Sequence, residues 1–275
     1  MHGATAVKNH PNPFMQNPNY IDCQADQKDF KLGPDSLDNK VILITGATGG
    51  LGTELSKACA EAGATVILVS RKLKKLEKLY DVVQGLGKAE PAMMTLEQDK
   101  AGPNEYIEIA DMLESEIGSL DAIVHTAADL GTSTPQMAID QSEWARVMNV
   151  NLSSARLLSL YCMPLLSKSS LASISFLLDY KTTAYWGGYG VSKQAVQTFM
   201  HMLADEHEGK KDQAGHPLVA INGYDPGPMR TPLRRRAFPG ELEEETVPPR
   251  NKLGPLLSLI SRTDRQLTGA AFHWR

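Results

Sequence analysis

A short apolar run, Val41-Ile42-Leu43-Ile44, passes directly into the glycine-rich turn Thr45-Gly46-Ala47-Thr48-Gly49-Gly50-Leu51-Gly52. This junction limits the possible folds more than any other stretch of the chain. Four consecutive apolar residues ending in a turn suit a strand buried on both faces. Beyond the turn, Leu51, Leu55, Ala58, Cys59 and Ala62 recur at helical spacing, and Gly63 ends the pattern. A strand that feeds a helix in this way aims backbone N–H groups and a helix N-terminus at one spot, which favours a pyrophosphate. Gly46 allows the tight turn, while Gly50 and Gly52 allow close backbone approach and helix packing.

The alternation continues down the chain. Residues 65–69 read as a second buried strand, and Leu73, Leu76, Leu79, Tyr80 and Val83 mark a helix. A weaker strand follows at 93–96, then a helical pattern over 106–117 and a strand over 120–124. The patterning predicts a long helix from 142 to 166, a strand over 171–178, a helix from Tyr189 to about His207, and a strand over 218–223. Strands alternating with helices predict an α/β fold: a Rossmann-type, doubly wound parallel sheet with helices on both faces. A length of 275 residues suits one such domain, spanning 39–275. Residues 1–38, with Pro11, Pro13, Pro18 and Pro34 and little periodicity, read as a polar N-terminal extension, flexible or wrapped on the domain.

Charge and cysteine content exclude several function classes. The net charge of -4 argues against a nucleic-acid surface. Arg234-Arg235-Arg236 is a short basic run, but Glu241 and Glu243 to Glu245 follow it, as in a solvated loop. Three cysteines, Cys23, Cys59 and Cys162, have no metal-ligand spacing, and their odd number fits a reducing compartment. No apolar run reaches membrane-span length and no signal-peptide core is present. The expectation is a soluble cytoplasmic protein without metal, nucleic-acid or membrane partners.

Two further features bear on chemistry. Tyr189-Gly190-Val191-Ser192-Lys193 places Tyr189 and Lys193 four residues apart on a helix, hence on one face, with the ammonium beside the phenol. The second strand ends in Ser70-Arg71-Lys72 with no carboxylate. A carboxylate there would bind ribose hydroxyls, whereas Arg71 suits a 2′-phosphate through paired N–H donors, so NADP is expected over NAD.

Together with Asp225-Pro226-Gly227-Pro228-Met229-Arg230-Thr231, these motifs resemble the short-chain dehydrogenase/reductase family from about Leu37 to the end of the chain. The segment from Trp186 to Glu206 resembles a bacterial branch of that family. The resemblance implies an oxidoreductase passing hydride between a nicotinamide cofactor and a small-molecule carbonyl or alcohol. In that reading Tyr189 is the general acid/base. Lys193 supplies a positive charge favouring tyrosinate and binds the nicotinamide ribose. Asn151, in Asn149-Val150-Asn151-Leu152, supports a proton-relay water. The implied cofactor contacts are Gly46, Thr48, Gly49, Gly50, Leu51, Gly52, Arg71, Ala127, Tyr189, Lys193, Pro226, Gly227 and Thr231, with Glu97 or Asp99 near the adenine. It also implies a lid over 232–252 and a homodimer or homotetramer joined through helices near 151–166 and 189–207, with Leu158, Tyr161 or Met202 exposed. The alternative is a catalytically weak or inactive dinucleotide-binding protein of the same fold.

The sequence departs from the family pattern on the substrate side. The family carries a serine about a dozen residues before the tyrosine, where it donates a hydrogen bond to the reacting oxygen. Phe176 stands thirteen residues before Tyr189, and a shortened connection would bring Leu178 or Asp179 there instead. Losing such a donor costs about 2.7–4 kcal/mol of transition-state stabilisation. Thr182, Thr183 or Tyr180 could substitute if the loop folds back. His125-Thr126-Ala127-Ala128 stands where the family has Asn-Asn-Ala-Gly, and Asp225 where it has asparagine. His125 reads as a strand-end core residue rather than a base.

Overall fold

The structure, a computed structural model, describes residues 20–262 and 264–274. Eight strands form one sheet: β1 (Tyr20–Asp22), β2 (Val41–Thr45), β3 (Thr65–Ser70), β4 (Ala92–Thr95), β5 (Ala122–His125), β6 (Ala172–Leu177), β7 (Val219–Asp225) and β8 (Ala271–His273). Their order is β1-β8-β7-β6-β5-β2-β3-β4, and every pairing is parallel. From β2 the chain winds outward through β3 to β4. From β5 it winds the other way through β6 and β7 to β8. The reversal between β2 and β5 opens a crevice at their carboxyl ends, where ligands of doubly wound sheets bind.

The helices are α1 (Ala25–Lys28), α2 (Gly50–Glu61), α3 (Leu73–Leu86), α4 (Pro103–Glu116), α5 (Gln141–Met148), α6 (Ser154–Tyr161), α7 (Met163–Leu166), α8 (Gly187–His207), α9 (Pro232–Ala237) and α10 (Gly254–Ser261). They cover both faces of the sheet. Leu55, Cys59, Leu76, Leu79 and Leu256 pack with Ile42 and Ile44 on one face. Tyr106, Leu158, Cys162, Val196 and Met200 pack with Leu43, Ile123 and Ile174 on the other. Continuous apolar strands follow from this two-sided burial.

The helix expected over 142–166 is interrupted. A π-turn at Asn149–Ser153 separates α5 from α6. Pro164, in the first turn of α7, lacks the N–H that a continuous helix would use. Leu158, one of the residues expected on an assembly surface, is only 1% exposed and belongs to the core. Met202 is 59% exposed, and Tyr161 is partly buried.

Part of the N-terminal extension belongs to the sheet. β1 pairs in parallel with β8, and Cys23 and Leu37 are buried in the core. Of the prolines that marked the extension, Pro11, Pro13 and Pro18 lie outside the described residues. Among the described residues, no helix is long and apolar enough to cross a membrane, and no cluster of His, Cys, Asp or Glu could hold a metal ion.

Candidate active site

The crevice begins at the glycine turn. Gly46 has φ +65°, and a Cβ there would lie 2.6 Å from the backbone of Ala127 in the loop after β5. Only glycine lets the two loops meet so closely. The N-cap of α2, Gly49, offers no capping side chain, and the first turn of α2 holds no acidic residue. The leading N–H groups of α2 therefore face the crevice without side-chain partners, which is what an anion requires.

A single elongated cleft runs from this helix end in both directions. At one end lie Ser70, Arg71, Lys72 and Lys75, with Gln98 and Asp99 beside them; at the other lie Asp179, Lys181, Tyr189 and Lys193. Gly46, Thr48, Gly49, Gly50, Leu51, Gly52, Ala127, Pro226, Gly227 and Thr231 line the stretch between. The fold thus gathers every residue the sequence assigned to cofactor contact. Of the two acids considered for the adenine end, Asp99 lines the cleft, whereas Glu97 is paired with Lys100 at 2.7 Å. An uncapped helix end, a basic end and a Gly-lined floor fit a dinucleotide.

The reacting end is built on α8. Tyr189 and Lys193, each 4% exposed, occupy its inward face one turn apart. Lys193 Nζ donates to the carbonyl of Leu177 at 2.7 Å, at the end of β6, and lies 5.9 Å from the centre of the Tyr189 ring. The Tyr189 hydroxyl donates to Asp179 Oδ2 at 2.9 Å. Asp179 Oδ1 is paired with Lys181 Nζ at 2.7 Å. The connection from β6 to α8 is therefore short, and Asp179 stands beside the tyrosine. Phe176 does not: its side chain is fully buried and stacks on His125, ring centres 4.9 Å apart. Ser173 and Ser175 are buried in β6, and among the described residues their hydroxyls have no hydrogen-bond partner. Thr182 and Thr183 are exposed outside the cleft, and Tyr180 packs edge-on against Tyr20.

These neighbours set the proton affinities. Burial, followed by the Asp179 charge and its hydrogen bond, pushes the Tyr189 phenol well above its ordinary value, and Arg234 opposes this weakly. Burial brings Lys193 down to about 8, against the pull of Asp179 and Asp225. The neutral phenol is the stable form in the free protein, because burial disfavours tyrosinate and the Asp179 carboxylate beside it adds to this.

Asn151 sits behind the cleft rather than in it. Its Oδ1 accepts from the Asp129 N–H at 2.7 Å, and its Nδ2 donates to the Asp129 carbonyl at 2.9 Å and the Ser192 hydroxyl at 2.8 Å. The wide π-turn presents Asn151 inward, a frequent device at functional sites. A cavity of about 10 Å³ lies between Asn151, Lys193 and Thr45. Asp225 holds the turn into Pro226: its Oδ1 accepts from the Gly227 N–H at 2.8 Å, and its Oδ2 lies 3.2 Å from His273 Nδ1.

Comparison with known proteins supplies the family. The short chain dehydrogenase profile matches residues 40–242. The chain belongs to the short chain dehydrogenase family. It is 30% identical over 241 residues to the uncharacterized oxidoreductase YciK of Escherichia coli (strain K12), covering 86% of this chain and 92% of that one. A short chain dehydrogenase structure from Salmonella enterica serovar Typhi superposes with a TM-score of 0.83 at 31% identity, over 89% of this chain and 99% of the other. A structure from Escherichia coli CFT073, complexed with NADPH, superposes with a TM-score of 0.81 at 30% identity, over 87% of this chain and 98% of its own. The chain is accordingly an oxidoreductase by family, and its single parallel sheet is the Rossmann-type fold the sequence predicted.

Lys181 is the site residue that sequence reading missed. It belongs to no motif, and its place depends on how the loop after β6 folds back. The one available signal was Gly190 inside the Tyr-Lys motif: a Cβ there would lie 2.4 Å from the Lys181 carbonyl.

Proposed function

We propose that the protein is an NADP-dependent reductase of a small-molecule carbonyl, or dehydrogenase of the corresponding alcohol. The observation that carries this reading is the continuous cleft joining the basic Arg71 end to the Tyr189 hydroxyl. The NADPH complex of the Escherichia coli CFT073 relative is consistent with it. When bound, the nicotinamide supplies or accepts hydride at the substrate carbon.

Arg71, with Lys72 and Lys75 nearby, binds the 2′-phosphate, since a guanidinium offers paired donors to phosphate oxygens. The N-terminus of α2 binds the pyrophosphate. Pro226, Gly227 and Thr231 flank the nicotinamide. Tyr189 gives a proton to the substrate oxygen during reduction and takes one back during oxidation. Its raised proton affinity keeps the phenol loaded for reduction. Lys193 holds the nicotinamide ribose, and Asn151 supports a water in the cavity beside Lys193 through which the tyrosine is reprotonated. The segment over 232–252 closes the substrate end: Arg236 donates to the Gly131 carbonyl at 3.1 Å, and Phe238 lies 5.8 Å from Trp186, ring centre to ring centre. The catalytic unit is a homodimer or homotetramer, and it works in the cytoplasm.

The test is fluorescence titration with NADPH and NADH, followed by a turnover screen over carbonyls and alcohols. Tighter NADPH binding that falls to the NADH level in Arg71→Ala is expected. Equal binding of both cofactors by the wild-type protein removes the role of Arg71. Tight binding without turnover favours the inactive alternative.

A further inference from the structure

The cleft retains no serine beside Tyr189, yet its reacting end is not without a donor. Lys181 lines the same cleft wall as Tyr189 and Asp179. Its side chain is 25% exposed. It is ion-paired with Asp179 Oδ1 at 2.7 Å, and an ammonium carries three N–H donors, more than this one contact can use. Its neighbour on the far side is the Trp186 ring, 5.3 Å from Nζ, a face that holds a cation without consuming a donor.

The other cations at this end also have partners of their own. Arg234 donates from Nε to Glu241 at 2.8 Å and pairs with the same carboxylate through its terminal nitrogen. Arg236 donates to the Gly131 carbonyl at 3.1 Å. Lys193 donates to the Leu177 carbonyl at 2.7 Å. Placement of Lys181 is built into the motif: Gly190 lets the Lys181 carbonyl lie against α8, one residue after Tyr189.

We propose that Lys181 is a catalytic residue that donates a hydrogen bond to the substrate oxygen in place of the family's serine, with Asp179 as the residue that positions it beside Tyr189. The proposal rests on the reductase reading. In reduction, hydride reaches the carbonyl carbon from NADPH and the C=O π pair becomes a lone pair on oxygen. The Tyr189 proton goes to that oxygen, leaving tyrosinate, which solvent reprotonates. Lys181 transfers nothing: its ammonium offsets the oxygen's developing charge, which Asp179 alone would repel. The Asp179–Lys181 pair thus resolves the conflict of a carboxylate placed next to an oxyanion.

The experiment compares Lys181→Met, Lys181→Arg, Asp179→Ser and the double variant Asp179→Ser/Lys181→Met, with Tyr189→Phe as reference. NADPH binding, measured by fluorescence, reports that each variant is folded. Lys181→Met is expected to lower kcat by about 100-fold or more with the Kd for NADPH unchanged. Lys181→Arg retains most of the rate. In the Asp179→Ser background, Lys181→Met costs little, because the new hydroxyl donates. A readout independent of turnover is tyrosinate absorbance against pH. The groups facing Tyr189 are Asp179, Asp225, Arg234 and Lys193, so Lys181→Met leaves Asp179 unopposed and moves the phenol to higher pH, whereas Asp179→Asn moves it lower. Wild-type kcat in Lys181→Met alongside a dead Tyr189→Phe overturns the role of Lys181 and leaves the reductase reading standing. Turnover that survives Tyr189→Phe overturns both.

Discussion

The side-chain amide of Asn151 donates to the Ser192 hydroxyl at 2.8 Å, joining the π-turn to the helix that carries Tyr189. Ser192 passes the connection on, its hydroxyl donating to the Tyr189 carbonyl at 2.8 Å. The same amide satisfies both backbone groups of Asp129. Asn151→Leu leaves these buried groups unpaired. The expected loss is about 2–4 kcal/mol, from two orphaned polar groups at about 1–3 kcal/mol each with partial relaxation. Urea unfolding checks this, and an unchanged midpoint contradicts it.

Lys193 gives the pH dependence of reduction. Its ammonium is charged below about 8 and neutral above it. The phenol remains protonated through the same range, because its affinity is raised. Reduction needs both protons in place, so kcat/KM is expected to hold at neutral pH and fall above about 8, approaching tenfold per pH unit. A pH–rate profile that stays level to pH 10, as an ordinary lysine titrating at about 10.4 would allow, contradicts this.

Much of this site was legible in the sequence because it rests on local constraints. The glycine turn, the two-sided strands and the Tyr189–Lys193 spacing each follow from backbone geometry within a few residues. The rest depends on contacts between distant segments. β1 and β8 are three residues long and pair across almost the whole chain, so neither carries a readable period. Loop length carries no periodicity either, which is why the sequence puts Phe176 at the family's spacing from Tyr189 and Leu178 or Asp179 there only under a shortened connection. Asn151 was identified, but not the π-turn that aims it, because a single wide turn leaves helical patterning almost unchanged.

Gly46 tests the glycine turn. Its left-handed backbone alone costs a substituted residue about 1–2 kcal/mol. The added Cβ also meets Ala127 backbone at 2.6 Å, which no rotamer relieves. Gly46→Ala is therefore expected to lower stability by more than the backbone cost and to weaken NADPH binding together with it. Calorimetric melting and fluorescence titration read the two effects. Wild-type values for both contradict the turn geometry.

His125 predicts acid sensitivity. Burial holds its imidazole at about 3, neutral between the Phe176 ring and the Ser159 hydroxyl. In the unfolded chain it titrates near 6.5. Between these values the unfolded state binds the extra proton, so stability present above about 6.5 is lost as pH falls toward 3. The slope from this residue is about 1.4 kcal/mol per pH unit. His125→Phe is expected to lose that slope, whatever it costs in packing. Urea unfolding of both proteins at pH 7 and at pH 5 (about one and a half units below the ordinary titration point) measures the difference. Parallel declines contradict it.

The most direct test of the account is NADPH consumption over a carbonyl panel by the wild-type protein and by Tyr189→Phe. The wild-type protein is expected to turn over at least one carbonyl. Tyr189→Phe is expected to bind NADPH equally well and to lose about 100-fold or more in kcat. Equal turnover by the two proteins, or NADPH bound with no carbonyl reduced by either, contradicts it.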